Sequence, residues 1–213
     1  MEQYFQDPKD QLVWNKFVQT YGLDEVKQDK FKKYLDLILQ ENQKYNITAI
    51  TSNQGIVFDH FYDSLALQNF VEMDTISAMV DVGSGGGFPG VPLAILNEHI
   101  TFHLVEVTLK KVQFLHMVID ALGLQNIIVH TDDWRTFLRN FHEPINIFTA
   151  RASLQLKELF RIFKPSSQYQ NSLLVYWASK NWVTSEQESE YLDSCEEYQV
   201  GEKKRSLCFF KNE

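Results

Sequence analysis

Residues 80–90 read VDVGSGGGFPG. An apolar strand end runs directly into a cluster of glycines. Glycine accepts tight turns and leaves backbone N–H groups bare at the start of a following helix. In an open α/β sheet, ligands sit beyond the carboxyl ends of the strands, near the point where strand order reverses. The stretch therefore predicts a first strand, a ligand-facing loop and a helix.

Reading outward supports that prediction. Downstream, the short apolar runs AMVDVG, TFHLVEV, NIIVHT, INIFTA and SLLVYWA read as strands. They alternate with helical patterns near 91–97, 110–123, 134–141, 153–164 and 185–195. Strands alternating with helices predict a mostly parallel sheet covered on both faces. EEYQVGEKKRSLCFFK reads as an antiparallel hairpin turning at 201–204. Upstream, Leu12, Trp14, Phe17 and Val18 fall at helical spacing, as do Phe31, Tyr34, Leu35 and Ile38. A third helix is expected over 54–71. The expected organisation is a helical cap at 1–72 and a sheet domain at 73–213, joined by MDTISA at 73–78.

The glycines alone leave the ligand open. Gly85, Gly87 and Gly90 spell G-x-G-x-x-G, and Glu106 stands where a ribose-binding acid belongs in a dinucleotide site. A frame beginning at Gly83 adds Asp81 just before the first glycine. A carboxylate there repels a pyrophosphate but suits the ammonium and sulfonium of S-adenosylmethionine. In either frame Glu106 can accept hydrogen bonds from two ribose hydroxyls.

The chain has 213 residues and a formal net charge of −8. That balance argues against a general nucleic-acid binder, although a local basic patch is compatible with it. No apolar run approaches the length of a membrane span, and the start lacks the basic-then-apolar order of a signal peptide. A cytoplasmic monomer without membrane contact is expected, with Cys195 and Cys208 as reduced thiols. No His/Cys/Asp/Glu spacing suggests a metal, and Ser84 and Ser153 have no evident partners for nucleophilic catalysis.

Several segments together resemble the RsmG (GidB) family of bacterial 16S rRNA guanine-N7 methyltransferases. They are the glycine stretch, KYNITAI at 44–50, HFYDSLAL at 60–67, LVEVTLKKVQFL at 104–115 and ARASL at 150–154. The resemblance implies a Rossmann-like class I methyltransferase: a seven-stranded, mostly parallel sheet with a C-terminal antiparallel hairpin and a helical N-terminal cap. It implies S-adenosylmethionine as cofactor and 16S rRNA or the small ribosomal subunit as partner. Cofactor contacts are implied at Gly83, Phe88, Trp134, Arg135 and Arg151, beside Asp81, Gly85 and Glu106 from the charge argument and the general methyltransferase pattern. Asn46, His60, Asp63 and Lys180 are the candidates for positioning substrate. The chain departs from the family pattern at Asp133-Trp134-Arg135, where Arg-x-Glu is usual, at Asn181 after Lys180, and at Gly86 for proline.

Structural alternatives accompany these residues. Asn46 and Thr48 suit a helix-end cap, and His60 and Asp63, three apart, can pair with each other on one helix face. Lys110 and Lys111 open a helix either as a phosphate contact or as a solvated face. Two other functions fit the residues less fully: methylation of a small molecule, and a nicotinamide-dinucleotide oxidoreductase.

Overall fold

A computed structural model describes residue 5, residues 7–179 and residues 182–212. Lys180 and Asn181 lie outside the described residues.

The sheet has seven strands in the order β3-β2-β1-β4-β5-β7-β6. They are β1 Ala78–Val82, β2 Thr101–Val105, β3 Ile127–His130, β4 Ile147–Arg151, β5 Leu173–Ala178, β6 Leu192–Val200 and β7 Lys203–Phe210. The first five are parallel, and β7 runs antiparallel against both β5 and β6. The order reverses between β1 and β4, so the glycine stretch leaves the sheet at the switch point.

Alternation along β1 divides the interior. Val80 and Val82 join Phe137, Phe148 and Phe163 on one face. Met79 points to the other face, where buried residues of the cap and the sheet form one continuous cluster. The cap begins with α1 (Pro8–Tyr21), capped by Asp7 and closed by left-handed Gly22. The next helix, α2 (Glu25–Asn42), is capped by Asp24 and buries Phe31, Tyr34, Leu35 and Ile38, an i, i+3, i+4, i+7 stripe. Phe17 meets Phe31 edge to face at 5.0 Å. Gly90–Leu96 (α3) and Leu109–Leu122 (α4) complete this face, with α2 packed on both. Trp134–Asn140 (α5) and the short helix Leu156–Leu159 cover the opposite face.

Four sequence expectations need correction. The helix expected over 54–71 is broken into α segments Asn53–Ile56 and Asp63–Leu65 around a π segment, Val57–Tyr62, before a 3-10 turn. The apolar pattern survives an inserted residue in its pitch and so conceals it. The helix expected over 185–195 stops at Ser189, and the acidic run LDSCEEYQV pairs instead with β7. Tertiary pairing overrides local propensity there. The hairpin turns on Gly201 and Glu202, leaving Lys203 and Lys204 inside β7. Cys195 and Cys208, expected as separate thiols, face each other across β6 and β7 and are joined as a disulfide.

Candidate active site

The glycine loop is held by backbone and carboxylate contacts from neighbouring strands. Gly83 and Ser84 donate to the carbonyl of Val105 at 2.8 and 3.1 Å. Gly83 has φ +71°, and a Cβ there would lie 2.5 Å from Ser153 Cβ, so glycine is required both for conformation and for closeness. Gly85, at φ +59°, donates its N–H to Glu106 Oε2 at 2.9 Å. The other oxygen, Oε1, accepts from the Thr108 N–H at 2.8 Å. Glu106 thus sits at the tip of β2, its carboxylate fixed by two loops. Each oxygen keeps lone-pair capacity for a ligand hydroxyl.

Asp81 is used differently. It is 2% exposed, and Oδ2 accepts from the N–H of Gly90 at 3.1 Å, at the start of α3. Burial pushes its pKa up to about 6, opposed by that N–H, Arg151 and the Thr149 hydroxyl. Asp81 therefore braces the loop from below and does not line the cleft. The same bond argues against a dinucleotide site: a protein carboxylate already occupies the helix N–H that a pyrophosphate would need.

A cleft of about 300 Å³ opens above the tips of β1 and β2. Its walls include Gly83, Glu106, Lys111, Asp132, Asp133, Trp134 and Ser153. Three carboxylates against one ammonium favour a cationic nucleoside over a diphosphate. Trp134 is buried, its indole N–H donating to the Glu158 carbonyl at 2.8 Å. Arg135 turns away: its side chain pairs with Glu158 at 2.9 Å and faces a different cavity, and its N–H donates to Asp133 Oδ1 at 3.0 Å, so the expected cofactor contact at Arg135 is not formed by the cleft wall. Of the two helix-opening lysines, Lys111 enters the cleft wall, while Lys110 lies over the ring of Tyr45.

A second pocket, about 330 Å³, adjoins the first. Ala152 lines both, at φ +51°, the one non-glycine residue with positive φ among those described. A strained alanine at the tip of β4, costing on the order of 1 kcal/mol, forms the partition between the two.

Arg151 organises this second pocket. Its Nη1 donates to Asp63 Oδ2 and to the Asp59 carbonyl, both at 2.9 Å. Its Nη2 lies 3.0 Å from His60 Nδ1. A guanidinium only donates, so Nδ1 accepts and the imidazole proton resides on Nε2, which donates to Thr48 Oγ1 at 2.7 Å. Burial, reinforced by Arg151, pushes the His60 pKa down to about 3, so the ring is neutral near pH 7. Phe88 stacks on His60 at 4.2 Å and 11°. Asp63 is 3% exposed, and its Oδ1 accepts from the Tyr198 hydroxyl at 2.6 Å.

The structure thus gathers His60, Asp63 and Arg151 around one pocket, with Phe88 stacked on His60, and Gly83, Glu106 and Trp134 around the other, with Gly85 hydrogen-bonded to Glu106; neither Phe88 nor Gly85 lines a pocket itself. Asn46 lines neither: it is exposed, and Asn42 supplies the side-chain cap to Thr48 N–H at 2.9 Å. Sequence reading missed Tyr34, whose hydroxyl donates to the Gly86 carbonyl, and Asp59, Tyr198 and Arg205. Asp59 stands immediately before the HFYDSLAL motif that begins at His60, so its neighbourhood, though not its role, was legible. Tyr198 and Arg205 carried no local signal, because β6 and β7 bring them in from more than 130 residues away.

The family profile described as rRNA small subunit methyltransferase G (GidB) matches residues 27–208. Two proteins called Ribosomal RNA small subunit methyltransferase G are similar to this chain. The one from Exiguobacterium sp. is 32% identical over 75% of the chain and 68% of its own length. The one from Clostridium botulinum (strain Alaska E43) is 36% identical over 70% of the chain and 64% of its own length. The chain thus spans about two thirds of these relatives. Among solved structures, a SAM-dependent O-methyltransferase from Thermotoga maritima aligns at TM-score 0.57 and 12% identity, over 82% of this chain and 71% of that one. M. capricolum TrmK in complex with S-adenosyl-homocysteine aligns at TM-score 0.50 and 15% identity, over 66% and 65%. At such identities these two speak to the fold alone.

Proposed function

Since this chain belongs to the GidB family, rRNA small subunit methyltransferase G, we infer that it methylates N7 of a guanine in 16S rRNA, using S-adenosylmethionine. The observation that carries the reading is the pair of pockets meeting at Ala152, one acidic and nucleoside-sized, the other walled by His60, Asp63 and Arg151.

The first pocket fits the cofactor by its donor set. Glu106, held by the Gly85 N–H, would accept ligand hydroxyls, Gly83 would let a ligand approach the backbone closely, and Trp134 would wall the cleft beside it. Asp132 and Asp133 add negative charge to the rim. When bound, S-adenosylmethionine supplies an electrophilic methyl group.

The second pocket needs no general base. Guanine N7 carries an in-plane lone pair and no proton, so what the chain must supply is positioning and exclusion of water. His60 suits that role, because it is neutral and both ring nitrogens are engaged. It acts as a wall and not as a proton acceptor. Arg151 fixes the tip of β4 beside Ala152 and gives shape to the pocket. Asp63 holds Arg151 and Tyr198 in place, and its charge favours the positive purine that methylation leaves. In this reading Asn46, exposed outside both pockets, is a candidate for contacting the RNA, as is Lys180 by its chemistry, which suits a phosphate.

The test is transfer of labelled methyl groups onto 16S rRNA from cells lacking this protein, followed by mapping of the modified base. One guanine modified at N7 is the expected result. Absence of label on both naked rRNA and assembled small subunits overturns the reading.

A further inference from the structure

A cavity of about 430 Å³ lies between α5 and the segment 161–169, on the sheet face opposite the cap. Its wall carries Arg135, Arg139, His142 and Arg161, with Ser167 and Gln168, and no carboxylate. The chain has 28 acidic and 20 basic residues, so three converging arginines are a marked departure from its average.

The arginines come from two elements. Arg135 and Arg139 lie four apart on α5, where like charges repel. Arg161 comes from the 3-10 turn Phe160–Phe163. Glu158 stands behind two of them: its Oε2 accepts from Nε of Arg135 at 3.0 Å and Nε of Arg161 at 2.8 Å. That carboxylate orients both guanidinium planes. Among the described residues, Nη1 of Arg135 and both η nitrogens of Arg161 have no hydrogen-bond partner, and Arg139 is exposed without an ion pair. Two further acids are near: Asp133, which is influenced by Arg139, and Glu143, close to Tyr169 and His130. A helix C-terminus favours a nearby cation, which accounts for Arg139 alone but not for three arginines converging from two elements.

The chemistry is that of a phosphate site. Guanidinium forks match phosphate oxygens in geometry as well as charge, and serine and glutamine add neutral donors. A nucleobase pocket would offer a free aromatic face; here Tyr169 is buried, with its hydroxyl spent on the Phe141 carbonyl at 2.7 Å. Helix α5 contributes to both this cavity and the cofactor cleft. Trp134 lines one and Arg135, the next residue, lines the other.

We propose that this cavity binds phosphodiesters of the RNA strand that carries the target guanine. The proposal rests on the rRNA-methyltransferase reading above. It gives an acidic protein a local basic contact for its polyanionic substrate, since backbone contacts hold RNA in register without reading its sequence.

The test compares wild type with Arg139→Gln, Arg139→Gln/Arg161→Gln and, as a charge-matched control, Lys33→Gln on the exposed side of α2. Binding to naked 16S rRNA is measured across a salt series, beside steady-state methylation and the thermal shift given by S-adenosylhomocysteine. Arg139→Gln should weaken rRNA binding about tenfold and flatten the slope of log affinity against log salt by about 1, with the loss appearing in KM. The double variant should lose more. Both should keep the S-adenosylhomocysteine shift, which reports an intact fold, and Lys33→Gln should match wild type. Affinity and slope equal to the control in both cavity variants would overturn the proposal. So would a defect seen only with assembled subunits, which would mark a protein contact. Wild type that neither binds nor methylates rRNA overturns the functional reading and this proposal together, whereas active wild type with unaffected variants overturns this proposal alone.

Discussion

The guanidinium carbon of Arg151 lies 5.1 Å from the ring centroid of Phe88. The tip of β4 and the end of the glycine loop are thereby in direct contact, and the same guanidinium hydrogen-bonds His60, which stacks on that ring. Loop, strand and cap share one arginine, and the two pockets meet beside it.

Arg151→Lys keeps the charge but loses the fork that serves Asp63, the Asp59 carbonyl and His60 at once. Methylation of 16S rRNA is expected to fall about a hundredfold in kcat/KM, the scale of a misplaced reacting pair. Stabilisation by S-adenosylhomocysteine should largely persist. Kinetics on undermethylated rRNA check the first point, and a lysine variant within about twofold of wild type would remove Arg151 from the positioning role.

Glu106→Gln puts an amide where the carboxylate receives the N–H groups of Gly85 and Thr108. One of those donors then faces an NH₂ group, and the charged acceptor for ribose is gone. S-adenosylhomocysteine affinity should fall about tenfold or more by calorimetry, as for loss of a charge-assisted hydrogen bond. NAD should give no heat with either protein.

Tyr34→Phe removes a buried hydroxyl that donates to the Gly86 carbonyl and leaves that carbonyl unpaired. The expected cost is about 1–2 kcal/mol in urea unfolding. Cofactor affinity should weaken as well, because this bond joins α2 to the glycine loop. A variant equal to wild type in both measurements would show that the cap does not support the loop.

Acid should destabilise the fold through its histidines. Burial lowers His60 to about 3 and His103 to about 4, and lowers His130 as well. The unfolded chain then binds more protons than the folded one, so their contribution is complete above about pH 6.5 and is lost as pH falls toward those values. Asp81 acts oppositely: raised to about 6, it disfavours the fold when ionised and is relieved between about pH 6 and 3.8. With three histidines against one carboxylate, the urea midpoint should drop from pH 7 to pH 4.5. The drop should be shallower in His103→Gln, which removes one partner of the 2.9 Å pair with His130.

What was legible in the sequence follows from the range of each interaction. Val80 to Gly90 is local, and its apolar run and glycines announce strand, loop and helix by themselves. Glu106 was legible because the tip of β2 is a fixed distance in sequence from the loop it serves. The side-chain direction of Arg135 was not, since successive helix residues point about 100° apart and Trp134 takes the inward place. Asp81 was placed correctly at a strand end, but its bond to Gly90 depends on how α3 returns over the sheet. Tyr198 and Arg205 belong to strands whose acidic and basic composition resembles a solvated surface, and only pairing through β7 turns them toward Asp63.

β7 follows β6 in the chain yet lies inside the sheet, between β5 and β6. On a translating ribosome the segments that build the acidic cleft emerge before β6 and β7, the strands that carry Tyr198 and Arg205 to Asp63. The acidic cleft is therefore built from residues that all precede β6 and β7 in sequence, whereas the second pocket also draws on both of those strands. The seam between the parallel strands and β6 is thus closed by a strand that comes later in sequence than both of its neighbours.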